Sequence, residues 1–152
     1  MIKIVFVCLG NICRSPMAEM MFKELVKKNN MQSQFYIESK ATSYEENGNG
    51  IHRGAIEVLN RHNIPIESHK ASRLQKEDYD KFDYIIGMDE SNIFTIMRII
   101  GEDPLGKVHK LLDYSKKPRD IADPWYTGNF VKTYKDLEEG LNDFFNYLIK
   151  NI

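Results

Sequence analysis

The chain has 152 residues, the size of one domain (1–152) able to bury a core without disulfides or metals. Charged residues make up 28% and the net charge is -1, so no basic excess draws the chain toward nucleic acid or an acidic membrane surface. There are only two cysteines, no apolar run approaches membrane length, and the opening Met1–Val7 is too short for a signal peptide, so a reducing, cytoplasmic setting is expected.

Ile2 to Cys8 is a near-continuous apolar run rich in Ile, Val and Phe, which predicts a strand buried on both faces. It ends at the loop Leu9-Gly10-Asn11. From Ser15 the period changes. Ser15 reads as an N-cap and Pro16 as the first helical position, while Ala18, Met21, Phe22, Leu25 and Val26 follow helical spacing up to Lys28-Asn29-Asn30. A second strand is predicted over Phe35–Ser39. After a polar stretch, a helix over His52–His62 sets Ala55, Val58, Leu59 and His62 on one face and stops at Asn63 and Pro65.

A loop or short helix then leads into a third strand, Tyr84–Met88, followed by an amphipathic helix through Ile93, Ile96, Met97 and Ile100. Val108–Leu112 reads as a fourth strand and residues 113–130 as a loop. Tyr134, Leu137, Leu141, Phe144, Phe145 and Leu148 form the stripe of a closing helix. Strands alternating with helices predict an α/β fold, a four-stranded parallel sheet with helices on both faces, whose ligands bind beyond the carboxyl ends of the strands. Cys8 lies at such an end.

A strand that runs through a glycine-containing loop into a helix start can turn successive backbone N–H groups inward, making a cradle for a phosphate that the helix dipole strengthens. Arg14 adds a planar fork able to grip two phosphate oxygens, and the same positive field favours a nucleophilic thiolate at Cys8. An arbitrary cysteine on a core strand is only a small buried residue. Here Cys-x5-Arg-Ser in a strand–loop–helix context argues otherwise.

The stretch "VCLGNICRSPMAE" resembles the phosphate-binding signature of the low-molecular-weight protein tyrosine phosphatases. "ESKATS", "SHKASRL", "YIIGMDESN" and "ADPWY" extend the resemblance over nearly the whole chain in matching order. The resemblance implies hydrolysis of tyrosine-phosphorylated proteins or peptides, releasing inorganic phosphate, with no metal and no cofactor. It makes Cys8 the nucleophile, Arg14 the phosphate clamp and Asp123 the general acid, with Leu9, Gly10, Asn11, Ile12 and Cys13 completing the phosphate loop. Asn11 and Ser15 become loop supports, Ser39 and His69 the partners of Asn11, and Asp89 an acid paired with the histidine.

An acid protonating a tyrosyl leaving group fits Asp123, and the adjoining Trp125 and Tyr126 can line a slot for a flat phenyl phosphate. The family form is Asp-Pro-Tyr-Tyr, so Trp125 is a departure that bears on pocket width. Tyr44, or Glu45 beside it, is expected on the opposite rim. Cys13 has no step in phosphoryl transfer, and its loop position suggests a disulfide with Cys8 after oxidation. His52, His62 and His109 have no assigned role.

Two rivals stand beside this reading. A thiol-dependent arsenate reductase shares the loop but relays a disulfide through further cysteines, and residues 80–100 contain none. A catalytically silent phosphate-binding module would have dispensed with Cys8, Arg14 or Asp123. A zinc site is weak too, since Cys-x4-Cys has no second ligand pair nearby.

Overall fold

The computed structural model describes the whole chain, Met1–Ile152. Its strands are β1 (Ile2–Cys8), β2 (Phe35–Ala41), β3 (Tyr84–Gly87) and β4 (Val108–Lys110). Its helices are α1 (Arg14–Lys28), α2 (Arg53–Arg61), α3 (Asp78–Lys81), α4 (Glu90–Ile100), α5 (Pro124–Thr127) and α6 (Phe130–Lys150). All strand pairs are parallel and the sheet order is β2-β1-β3-β4, the expected α/β architecture.

β1 is central, paired along its whole length with β2 and over Ile4–Val7 with β3. Strand alternation divides its side chains. Ile4, Phe6 and Cys8 face the larger core, built with α1, α2 and α6, and Val5 and Val7 face the smaller core beneath α4. In the larger core Phe6 meets Phe22 edge to face at a centroid distance of 5.7 Å, and Phe22 also packs on Phe35, Phe144 and Phe145. This aromatic cluster clamps α1 and α6 against one face of β1, so the end of β1 that carries Cys8 is rigidly backed.

Some boundaries differ from the sequence expectation. β2 runs on to Ala41 because the Ala41 N–H donates to Ser72 O and its carbonyl accepts from Leu74, so a neighbouring segment prolongs the pairing. β4 stops at Lys110. Leu111 and Leu112 instead form a short 3-10 turn, fully buried against α6, where Gly140 leaves room: a Cβ there would lie 2.8 Å from Leu111 Cγ. The loop after it contains the single helical turn α5, and α1 begins at Arg14, one residue ahead of the expected cap. No helix is long and apolar enough to cross a membrane.

Candidate active site

The loop between β1 and α1 closes on itself at the carboxyl edge of the sheet. Its left-handed residue is Asn11 (φ 59°), a conformation a short polar side chain tolerates, and not Gly10. Gly10 is small for another reason: a Cβ would come 3.3 Å from Glu46 Cγ. The rest of the chain holds the loop by its carbonyls. Cys8 O accepts from Thr42 N, Leu9 O from Ser43 N, and Ile12 O from His52 N at 2.8 Å.

Asn11 is fully buried, and both its side-chain donors and its side-chain oxygen are engaged. Its Nδ2 donates to Ser15 Oγ (2.8 Å) and Ser39 Oγ (3.0 Å), and its Oδ1 accepts from Ser72 N (3.2 Å). His69 Nε2 lies 2.8 Å from Asn11 O. The network continues from Ser39 Oγ, which donates to Glu19 Oε1 at 2.6 Å, and Glu19 is paired with Lys23 one turn later along α1. Glu19 was not anticipated. Its only sequence signal is the (i, i+4) spacing to Lys23, which ordinarily marks a solvated helix face.

Ser15 is not a helix cap. Cys13 occupies that position without a side-chain bond, and the Ser15 hydroxyl lies 3.0 Å from Cys8 Sγ while its backbone N–H donates to the same sulfur at 3.4 Å. The first-turn amide that a cap would have satisfied is thus spent on the sulfur, which places Cys8 at the positive end of α1.

Arg14 is 1% exposed and braced from one side. Its Nη1 donates to Asp89 Oδ2 (2.6 Å) and Ile121 O (2.8 Å), and its Nη2 to Asp123 Oδ2 (3.2 Å). Burial works against its charge, but Cys8 and the carboxylates of Asp89 and Asp123 outweigh it and hold the guanidinium above its ordinary range. Asp89 therefore belongs to Arg14 and not to His69, a correction to the expected pairing. Its other oxygen accepts from Asn92 N at 2.7 Å, capping α4, so its carboxylate is committed at the end of β3 facing the arginine. Arg14 Nε is the one buried side-chain nitrogen or oxygen in the chain without a hydrogen-bond partner.

The segment carrying Asp123 is pinned residue by residue. Arg119 pairs with Asp136 and Glu139 of α6, Asp120 accepts from Glu90 N and Lys110 Nζ, and Ile121 N donates to Met88 O. Asp123 Oδ1 then caps α5 by accepting from Trp125 N at 3.0 Å, leaving Oδ2 toward Arg14.

These groups line one cleft with Cys8, Arg14 and Cys13 in its lining, together with Leu9, Gly10, Ile12, Glu45, Glu46, Asp123, Trp125 and Tyr126. Tyr44 is not among them. Its ring lies against the Arg73 guanidinium (4.9 Å) and its hydroxyl accepts from Gln75 Nε2 at 3.3 Å, so this side of the cleft is walled by Glu45 and Glu46 instead. Cys13 is a free, buried thiol; burial first, then the neighbouring Cys8 and Asp123, push it up to about 12.

A family model for low molecular weight phosphotyrosine protein phosphatases matches residues 3–152. The low-molecular-weight protein-tyrosine-phosphatase YfkJ of Bacillus subtilis is 38% identical over 142 residues, 92% of this chain and 91% of that protein. Its crystal structure superposes with a TM-score of 0.96, covering 99% and 96% of the two chains at 36% identity. The protein-tyrosine-phosphatase PtpA of Staphylococcus haemolyticus is 38% identical over 152 residues, 99% of this chain and 96% of that one. The crystal structure of DARP, a drosophila arginine phosphatase, matches at 28% identity and a TM-score of 0.88 over 97% and 98%. With its parallel sheet and its cysteine–arginine loop, the chain belongs to the low-molecular-weight protein-tyrosine-phosphatase family.

Proposed function

We propose that the chain hydrolyses phosphotyrosine in proteins or peptides, and small aryl phosphates, through a cysteinyl-phosphate intermediate. The observation that carries this reading is Arg14 Nε, a buried donor with no partner in a cleft it shares with Cys8. A buried donor left unpaired costs on the order of 1–3 kcal/mol, a cost that a phosphate oxygen removes on binding. The bracing of Nη1 by Asp89 and Ile121 keeps the guanidinium aimed while that bond forms.

In the first half-reaction the Cys8 thiolate attacks phosphorus, and the bond to the tyrosyl oxygen breaks as Asp123 passes its proton to that oxygen. The loop amides and Arg14 stabilise the charge on the equatorial phosphate oxygens. In the second half, the Asp123 carboxylate takes a proton from water as the water attacks phosphorus. The S–P bond breaks, inorganic phosphate leaves and the Cys8 thiolate is restored. Ser15, whose hydroxyl and amide both approach Cys8 Sγ, supports the sulfur as it becomes an anion again. Cys13, a protonated thiol, stays out of both steps and serves as the resolving thiol if peroxide converts Cys8 to a sulfenic acid. A reducing, cytoplasmic setting suits a site built on a free thiol.

Rapid quench with 32P-labelled substrate tests the reading. Wild type accumulates a cysteinyl phosphate that can be trapped by denaturation, and Cys8→Ser, in which the hydroxyl is a far poorer nucleophile, turns over no substrate while keeping its unfolding temperature. Activity persists in EDTA. Label retained in Cys8→Ser, or a requirement for added metal, overturns it. Phosphoarginine is the second substrate to set beside phosphotyrosine, because Glu45 and Glu46 give the cleft an acidic wall that suits a cationic group next to the phosphate.

A further inference from the structure

His52 sits outside the cleft lining, yet it touches both halves of the site. Its backbone N–H donates to Ile12 O of the phosphate loop at 2.8 Å. Its ring stacks on Phe130 with centroids 5.1 Å apart and planes at 19°, and meets Trp125 edge to face at 5.7 Å and 83°. Nδ1 is occupied as the cap of α2, accepting from Gly54 N at 3.0 Å, which fixes the ring's orientation. The contact leaves no slack. A Cβ on Gly54 would lie 2.5 Å from the Phe130 ring, and Phe130 in turn packs on the cluster of Ile12, Cys13 and Ala71.

We propose that His52 is the positioning residue that holds the acid loop over the phosphate loop, through its ring contacts with Trp125 and Phe130; the proposal rests on Asp123 being the general acid. α5 is a single turn whose Trp125 is 56% exposed, and His52 is the only ring paired with that indole. Trp125 N is the donor that orients Asp123 Oδ1, so the line from Ile12 to the acid runs through His52 and Trp125. The other tether on Asp123 is Arg14 Nη2, a group for which bound phosphate competes. Once substrate is seated, residues 119–121 stay pinned ahead of the acid, and the aromatic contact is the restraint that remains on the α5 side of it. Trp125, the departure from the family's tyrosine, is in this view the counterpart of His52.

The test uses kcat/KM, which reports the first half-reaction, across aryl phosphates of graded leaving-group pKa. His52→Asn keeps a capping acceptor and the backbone bond to Ile12 but removes the ring. It is expected to lose about tenfold on phenyl phosphate and less than about twofold on an activated dinitrophenyl ester, since only the poor leaving group depends on a well-placed acid. Inhibition by inorganic phosphate stays within about twofold, because the cradle is intact. His52→Phe, which keeps a ring and gives up the cap, restores the phenyl phosphate rate at some cost in unfolding temperature. In an Asp123→Ala background His52→Asn costs nothing further. Equal losses across the series, or a His52→Phe as slow as His52→Asn, overturn the proposal. A flat leaving-group response in Asp123→Ala itself removes the acid assignment, and the proposal with it.

Discussion

Replacing Asn11 by Gly and by Ala separates the two things this residue does. Both substitutions delete the bonds that this fully buried side chain makes to Ser15 Oγ, Ser39 Oγ and Ser72 N. At a net ~1 kcal/mol for each lost hydrogen bond, Asn11→Gly is expected to lower stability by about 3 kcal/mol. Ala carries a Cβ into a backbone with φ 59°, which Gly adopts freely, so Asn11→Ala is expected to cost about 1 kcal/mol more. In a domain of this size each kcal/mol moves the melting temperature by roughly 2–4 °C, so calorimetry should place Gly about 6–12 °C below wild type and Ala a few degrees lower still. The inhibition constant for inorganic phosphate should rise in both, because the loop loses the side-chain bonds that fix its backbone and so the aim of its amides. If Ala is as stable as Gly, or if both lie within about 1 kcal/mol of wild type, Asn11 is not the node that holds the loop.

Three further outcomes are expected. Burial alone would raise Asp103, but the Tyr79 hydroxyl and the Lys107 and Val108 amides outweigh it and hold its carboxyl below the usual range. Its contribution is therefore present above the unfolded value and lost as pH falls through the folded one, so denaturant melts of Asp103→Asn should show a deficit near about pH 7 that shrinks toward about pH 3; a pH-independent deficit would remove the linkage. Changing Glu45 and Glu46 to Gln should erase a preference for phosphopeptides with flanking Lys or Arg over those with flanking Glu, a ratio of about 2–5-fold per exposed pair that salt weakens, with matched peptides as the assay. Brief peroxide should inactivate wild type in a way that dithiothreitol reverses, while Cys13→Ser should leave a larger irreversible fraction; unchanged recovery, with no Cys8–Cys13 link in non-reduced peptides by mass spectrometry, makes Cys13 a packing residue.

Local physics made much of the protein legible from its residues in order. The apolar run of β1 announces a central parallel strand because burial on both faces from Ile4 onward favours apolar side chains at every position, and the stripes of α1 and α6 follow the helical period. The loop chemistry is local too: Cys8, Asn11, Arg14 and Ser15 lie within eight residues, so their juxtaposition needs only one tight turn. The helix start was misjudged because Ser15 has two uses, and only the sulfur beside it decides which one is taken. The family resemblance named Asp89, Asp123, Ser39 and His69, but local physics could not determine which of these distant groups meet. Arg14 meets Asp89 and Asp123 across separations of 75 and 109 residues, and the strand order β2-β1-β3-β4 sets the end of β3 next to the end of β1. Likewise Tyr44 turns to Arg73 and leaves the wall to Glu45 and Glu46, and His52 reaches Trp125, because partners on separate crossovers are chosen by packing, whose range in space has no counterpart along the chain.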